Sequence, residues 1–179
     1  MKKILFLIII PFQIYSQQWY NMNSGVTNSA VFSPIVLGIT SHINKITIGG
    51  YFKQSNSTIL NGIAQWDGSS WQPMGLGVWV DLSSDSAGNG GQGLIEYNNK
   101  FYIGGNFFGA GGTYIDDTLH YAYGLAKWDG TDWYPLTSPG TCGVNNSILA
   151  MGVYHNRLFF SGGFSQTYDT SGVHPALNM

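Results

Sequence analysis

Three segments of eleven residues align without a gap: HINKITIGGYF (His42 to Phe52), YNNKFYIGGNF (Tyr97 to Phe107) and YHNRLFFSGGF (Tyr154 to Phe164). A basic residue recurs at Lys45, Lys100 and Arg157, a glycine at Gly50, Gly105 and Gly162, and a phenylalanine at Phe52, Phe107 and Phe164. The phenylalanines stand 55 and 57 residues apart. Self-similarity at such a period describes an array of one supersecondary unit, each copy burying its apolar face against the next. Two longer segments repeat in step with these, GIAQWDGSSWQPM (Gly62 to Met74) and GLAKWDGTDWYPL (Gly124 to Leu136). WYNMNSGV (Trp19 to Val26) matches WQPMGLGV (Trp71 to Val78), so residues 17–26 read as the last strand of a repeat whose earlier strands do not precede it.

Each repeat reads as four short antiparallel strands. An apolar strand (IVLGIT, GLIEY or ILAMGVY) leads into a two-residue turn at Ile43-Asn44, Asn98-Asn99 or His155-Asn156. Asn is second every time, as a tight hairpin with left-handed backbone requires. The Gly-Gly strand follows, then the Trp66 or Trp128 strand, then Asp67-Gly68 or Asp129-Gly130 as a turn, then the Trp71 or Trp133 strand. Four-stranded units repeated every 50 to 60 residues predict an all-β fold, a β-propeller segment of about two and a half blades. The boundaries are 31–74 for the first blade, 91–136 for the second and 148–179 for a partial third, with 17–26 as the rim strand of a closing blade. Pro73 and Pro135 put the fourth strand at the rim, since proline is confined to edge strands. Gly38, Gly93 and Gly152 are expected to line a crowded centre, and at least one tryptophan of each pair to wedge between blades. Trp128 is expected to matter far more to stability than Asp132, read as a surface residue of its turn.

The amino terminus predicts export. MKKILFLIIIPFQIYS carries two lysines, an apolar run from Ile4 to Ile10, Pro11 and a small residue, Ser16, before polar sequence, which is the layout of a signal peptide spanning 1–16. No stretch reaches the ~20 apolar residues of a membrane span. The one cysteine, Cys142, allows no internal disulfide and reads as a buried or loop thiol. Removing Lys2 and Lys3 from seven Lys and Arg leaves five against nine Asp and Glu, about −4, with no basic patch for nucleic acid.

The residues YIGGNF and GIAQWDGSSW resemble the kelch-like, galactose-oxidase-type propeller repeats of secreted bacterial surface proteins and of fungal cortical-landmark proteins. The resemblance covers nearly all of the chain after the signal peptide. It implies a propeller in an exported, often multidomain protein, frequently with a carboxy-terminal sorting domain for type IX secretion. The chain reaches Met179 inside its third repeat, which predicts a fragment of a larger ring.

Few residues carry candidate chemistry. Asp81, Ser83 and Asp85 are spaced as in calcium loops but lack the glycine and terminal acid of such a loop, so calcium stands as the minor reading beside a solvated glycine-rich loop. Tyr114, Asp116, Asp117, His120 and Tyr121 share one insertion, a composition suited to metal, sugar or peptide contact. WDGSSW is similar to the aspartate box of sialidases, yet its Asp and Gly are adjacent, so Asp67 and Asp129 read as turn formers. Galactose oxidase would need two histidines, two tyrosines and a crosslinked cysteine around copper, and no motif here supplies that set. His42, His155 and His174 read as surface residues, and no catalytic constellation emerges.

Strand direction places the first and third turns of every repeat at one end, and the second turn and the inter-repeat link at the other. The first end is trimmed and uniform. The other carries all the length variation: KQSNSTIL after Phe52 against FGAGGTYIDDTLHYAY after Phe107, with links from Gly75 to Gly90 and from Thr137 to Ser147. Long loops on a rigid scaffold are where binding concentrates. The expected ligand contacts are therefore Asp81, Asp85, Asn89, Tyr114, Asp116, Asp117, His120 and Tyr121, with 108–123 the foremost loop. The favoured function is a non-catalytic binding or adhesion propeller that meets a protein or polysaccharide outside the cell. The alternative is the amino-terminal part of a propeller enzyme, a copper-radical oxidase or a glycan-active enzyme, whose catalytic residues lie beyond Met179.

Overall fold

The computed structural model describes residues 22, 25–28, 33–79, 90–112, 120–136, 143–169 and 171–176. The first repeat holds β1 (Ile35–His42), β2 (Lys45–Tyr51), β3 (Gln54–Ser55), β4 (Thr58–Ile59), β5 (Ile63–Trp66) and β6 (Trp71–Pro73), and the link after it holds β7 (Val78–Trp79). The second holds β8 (Gly91–Tyr97), β9 (Lys100–Gly105), β10 (Gly109–Ala110), β11 (Leu125–Trp128) and β12 (Trp133–Pro135), followed by β13 (Gly143–Val144). The third holds β14 (Ile148–Tyr154), β15 (Arg157–Gly162), β16 (Gln166–Asp169) and β17 (Gly172–Pro175). No α-helix is present among the described residues.

The first two repeats are antiparallel meanders in the orders β1-β2-β5-β6 and β8-β9-β11-β12. In the third, β14 pairs with β15, and β16 runs between β13 and β17. Each repeat also ties to the link before it. Thr27 bridges Gln54, β7 pairs with β10, and β13 pairs with β16, so one inter-repeat clasp is made three times.

The turn chemistry acts as the sequence requires. Ile43-Asn44, Asn98-Asn99 and His155-Asn156 have φ of 51° and 57°, 48° and 57°, and 46° and 55°. Two successive residues with positive φ make the primed turn whose twist suits a two-residue hairpin. At the other end of the first strand a bulge recurs in every repeat, between Val36 and Gly38, Gly91 and Gly93, and Ile148 and Ala150. This register puts Ala150, not Gly152, at the place of Gly38 and Gly93. A Cβ on Gly38 would stand 2.6 Å from the Gln92 carbonyl and one on Gly93 2.6 Å from Met151, whereas one on Gly152 would meet nothing within 4 Å. The expectation of a crowded Gly152 is therefore corrected: the glycine motif of the third repeat is displaced by two residues.

Residues paired across a hairpin share a face of its sheet, and the two faces differ in kind. On the second sheet Leu94, Glu96, Phe101 and Ile103 face the first repeat; this is termed the leading face. Gly93 and Gly104 face the third repeat, against Met151 and Ile148, on the trailing face. Large leading side chains thus enter shallow trailing surfaces of glycine and small residues, which lets the inner strands β1, β8 and β14 lie side by side.

Trp133 is the wedge between the first two repeats. It is fully buried among Phe101, Ile103, Ile63, Met74 and Val78, and its Nε1 donates to the Met74 carbonyl at 2.9 Å. Trp71 takes the same place in the first repeat, where Met22 and Val26 pack in the positions that Met74 and Val78 hold against Trp133. The strand-three partners lie against them, Trp66 edge-on to Trp71 and Trp128 tilted against Trp133, with ring centroids 5.3 and 5.1 Å apart, and are only half-buried. The stabilising role expected of Trp128 therefore belongs to Trp133. Trp133→Ala is expected to cost ~3 to 5 kcal/mol, and Trp128→Ala about half that, as befits a ring part-way in water. Urea unfolding of the two variants checks the ranking, and equal midpoints would refute it.

Candidate functional site

The third turns are built alike. Asp67 Oδ1 accepts the N–H groups of Ser69 and Ser70, each at 2.8 Å, and Asp129 Oδ1 accepts those of Thr131 and Asp132 at 2.8 and 2.9 Å. These bonds favour the charged carboxylate. The backbone N–H of Ser70, then that of Ser69, hold Asp67 far below the ordinary aspartate value of 3.8, and the N–H groups of Asp132 and Thr131 lower Asp129 in the same way. Both carboxylates are consumed in turn geometry, at the trimmed end of the sheets.

The turns differ at two positions, Ser69 against Thr131 and Ser70 against Asp132, and the second difference positions the insertion. The Gly112 N–H donates to both Asp132 carboxylate oxygens, at 3.3 and 3.1 Å, and His120 Nε2 stands 3.6 Å from Oδ2. His120 is buried, its ring 5.3 Å from that of Tyr134. The ends of the insertion are thus strapped along the outer strand β12. Asp132, expected to be a bland surface residue, is half-buried and serves as the strap's anchor. Setting the two WDG turns side by side exposes the signal: the longer loop belongs to the repeat with the extra acid.

Of the other expected contacts, Tyr121 packs against Trp79 and Tyr123 with ring centroids 5.4 and 6.3 Å away. Asp81, Ser83, Asp85, Asn89, Tyr114, Asp116, Asp117 and Cys142 lie outside the described residues. No cluster of three or more His, Cys, Asp or Glu able to hold a metal occurs among the described residues. His42, expected at the surface, is corrected: only 8% exposed, it stacks on Phe101 at 4.4 Å and hydrogen-bonds the Glu96 carboxylate through Nδ1. It closes the junction between the first and second repeats at the trimmed end. His155 and His174 are exposed.

The variable end carries an open groove of about 400 Å³ lined by Phe108, Tyr123, Val144, Asn145 and Tyr168. A recess of about 140 Å³ continues from it over Gly105, Asn106 and Asn146. The floor is fixed by the clasp: Val144 N–H donates to the Tyr123 carbonyl at 2.8 Å, and Tyr123 N–H to that of Phe108 at 3.0 Å. Asn145 is held by its own side chain, Oδ1 accepting from the N–H groups of Ser165 and Gln166 at 2.9 and 3.0 Å. Phe108, 51% exposed, meets Tyr123 edge-on at 6.2 Å.

The groove exists because one residue is small. In the clasp register Gly77 and Val78 correspond to Gly143 and Val144, so Asn145 stands where Trp79 stands in the preceding junction. There the Trp79 ring covers Gly109 and its Nε1 donates to the Gly111 carbonyl at 3.2 Å, filling the space. At the second junction an asparagine replaces the ring and the aromatic wall of Phe108 and Tyr123 is left open. The loop expected to contact ligand supplies that wall; Val144, Asn145 and Tyr168 were not anticipated.

No family model and no solved structure matches the chain. Over 173 aligned residues it is 25% identical to the acid beta-fructofuranosidase of Solanum lycopersicum, an alignment covering 86% of this chain and 27% of that enzyme. The chain therefore spans about a quarter of the length of that relative. No helix among the described residues is long and apolar enough to cross a membrane.

Two outcomes follow from this geometry. Asp132→Ala is expected to free the strap, costing about 1 to 3 kcal/mol through the orphaned Gly112 N–H; hydrogen exchange should rise at Gly111, Gly112 and 120–123 and stay unchanged at β1 and β2. Because Asp67 and Asp129 are lowered in the fold, their contribution is complete above about pH 4 and drains away as pH falls through their folded values. Wild-type stability should accordingly decline on acidification below that pH, and Asp67→Asn with Asp129→Asn should flatten the decline in a denaturation series.

Proposed function

We propose that the chain is a segment of an exported β-propeller that binds a polysaccharide or protein outside the cell without catalysing a reaction. The observation that carries this reading is the aromatic groove at the variable end. Exposed Phe108, with Tyr123 and Tyr168, offers flat apolar faces for the apolar side of a sugar ring or for a peptide side chain. Four acids among the described residues are otherwise engaged: Asp67 and Asp129 in turns, Asp132 in the strap and Glu96 on His42. Three faces that repeat in register, a clasp made three times and inner strands side by side support blades of a propeller. The amino-terminal layout supports export, and residues 1–16 would be the part removed.

A second reading is kept because one finding favours it: the likeness to the acid beta-fructofuranosidase of Solanum lycopersicum over most of this chain. On that reading the chain is the amino-terminal part of a glycan-active propeller, and a glycoside hydrolase would need a facing pair of carboxylates from other segments.

Replacing Phe108 and Tyr168 by Ala is expected to lower binding to a glycan array, or adhesion to a polysaccharide surface, about tenfold or more, with the unfolding midpoint unchanged. Exchanging 108–123 for KQSNSTIL should lower binding as far, with a lower unfolding midpoint because β10, Ala110 and Ala122 are removed with the loop. Binding that survives both changes would refute the groove, and release of reducing sugar by the chain would favour the enzyme reading.

A further inference from the structure

We infer that the groove takes a neutral glycan, not a charged sugar or a peptide strand, an inference that rests on the reading of the groove as a binding site and names its ligand class. The junction of the first two repeats is the reference, because the backbone frame is the same at both junctions. Asn61 N–H donates to the Lys53 carbonyl at 3.1 Å, and Tyr123 N–H to that of Phe108 at 3.0 Å. Val78 N–H donates to the Asn61 carbonyl, and Val144 N–H to that of Tyr123, both at 2.8 Å. Lys53 therefore corresponds to Phe108, Asn61 to Tyr123 and Trp79 to Asn145. The frame is made twice, and only its side chains change.

The changes run in one direction. A lysine at the first junction is Phe108 at the second, an asparagine is Tyr123, and Gly111, one residue past Ala110, is matched by Tyr168, one past Thr167. The ring of Trp79, which fills the first junction, is replaced by Asn145. A charge and a plug are gone, and three aromatic walls stand instead. Among the described residues no charged side chain lines the groove or its recess. The recess offers the exposed carboxamides of Asn106 and Asn146. Aromatic rings cover the C–H faces of a sugar, and carboxamides both donate to and accept from hydroxyls, so this lining matches an uncharged polyol.

The same lining disfavours the competing ligands. An acidic or amino sugar would bring its charge against apolar rings with no counter-charge, at a desolvation cost that nothing in the lining offsets. A peptide bound as an added strand needs a free sheet edge. Among the described residues the strands at the groove offer none. β10 is held by β7 on one side and by Tyr121, bridged to Gly109, on the other. β13 pairs with β16, and its Val144 N–H is taken by the Tyr123 carbonyl. β16 lies between β13 and β17. Main-chain recognition finds no partner in the groove, whereas ring stacking and hydroxyl contacts do.

Titration calorimetry of the full chain decides among the ligands, with neutral hexaoses of glucose, mannose, galactose and fructose, oligogalacturonate as the acidic probe, and a set of unstructured decapeptides. At least one neutral hexaose is expected to bind, and oligogalacturonate and the peptides to bind about tenfold more weakly or not at all. Raising salt from about 0.05 to 0.5 M should change the neutral affinity less than about twofold, since no charge takes part. Asn145→Trp, which puts into the groove the residue that fills the first junction, should abolish binding. Phe108→Ala, which breaks no hydrogen bond, should weaken it about tenfold and serves as the second variant if the unfolding midpoint of the first falls. Preferred binding of oligogalacturonate or a peptide, lost in Phe108→Ala, overturns the neutral-glycan inference and leaves the groove as a binding site. Neutral binding that survives both substitutions in folded protein overturns the inference and the groove together, and so does binding of none of the probes.

Discussion

The close approach of inner strands is the constraint on which the remaining structure depends. Gly49 and Gly50 lie against Gly90 and Gly91 so closely that a Cβ on any of the four would overlap a neighbouring atom. Two sheets held at that separation leave no room for side chains at the centre, while twist opens the gap outward. The outward space is then filled in order of size, by Leu94 and Ile103, by Phe101, and at the rim by Trp133. The glycines and the tryptophans are thus one device seen at two radii. A residue with a side chain at Gly90 would push the sheets apart and empty the contacts of Trp133.

That device explains why so much was legible in the sequence. The Asn of each first turn and the Asp-Gly of each third turn answer to local backbone demands, which a sequence carries on its face. The repeats themselves could be read because every copy meets the same neighbours. What could not be read depends on register between segments far apart. Gly152 looks like the first-strand glycine, and only the bulge between Ile148 and Ala150 shows that it is two residues away from that place. His42 sits beside a tight turn, where exposure is the ordinary expectation, yet Phe101 and Glu96 of the next repeat close over it.

The groove was half legible for the same reason. Loop length pointed to the variable end and to 108–123, so Phe108 and Tyr123 lay inside the expected segment. Asn145 and Tyr168 come from the next link and the next repeat, and their part depends on the absence of a ring at the Trp79 position. An absence is invisible until the clasp fixes which residues correspond. The described ends of the insertion, Gly112 and His120, are strapped along β12 by Asp132. The fold has spent part of that insertion on its own rim and left the two aromatic ends at the mouth of the junction.

Stability along the array is unequal, and the third repeat shows why. A two-stranded hairpin is marginal by itself in water. Among the described residues β14 and β15 form a sheet of two strands where the other two repeats have four, and their order comes from Leu125, Val144 and Leu136 packed against Ile148, Met151 and Phe160. β16 and β17 add a separate sheet on β13 rather than extending this one. The groove spans the junction of the third repeat with the second, so the wall carrying Tyr168 depends on the contacts that Ile148, Met151 and Phe160 make across it.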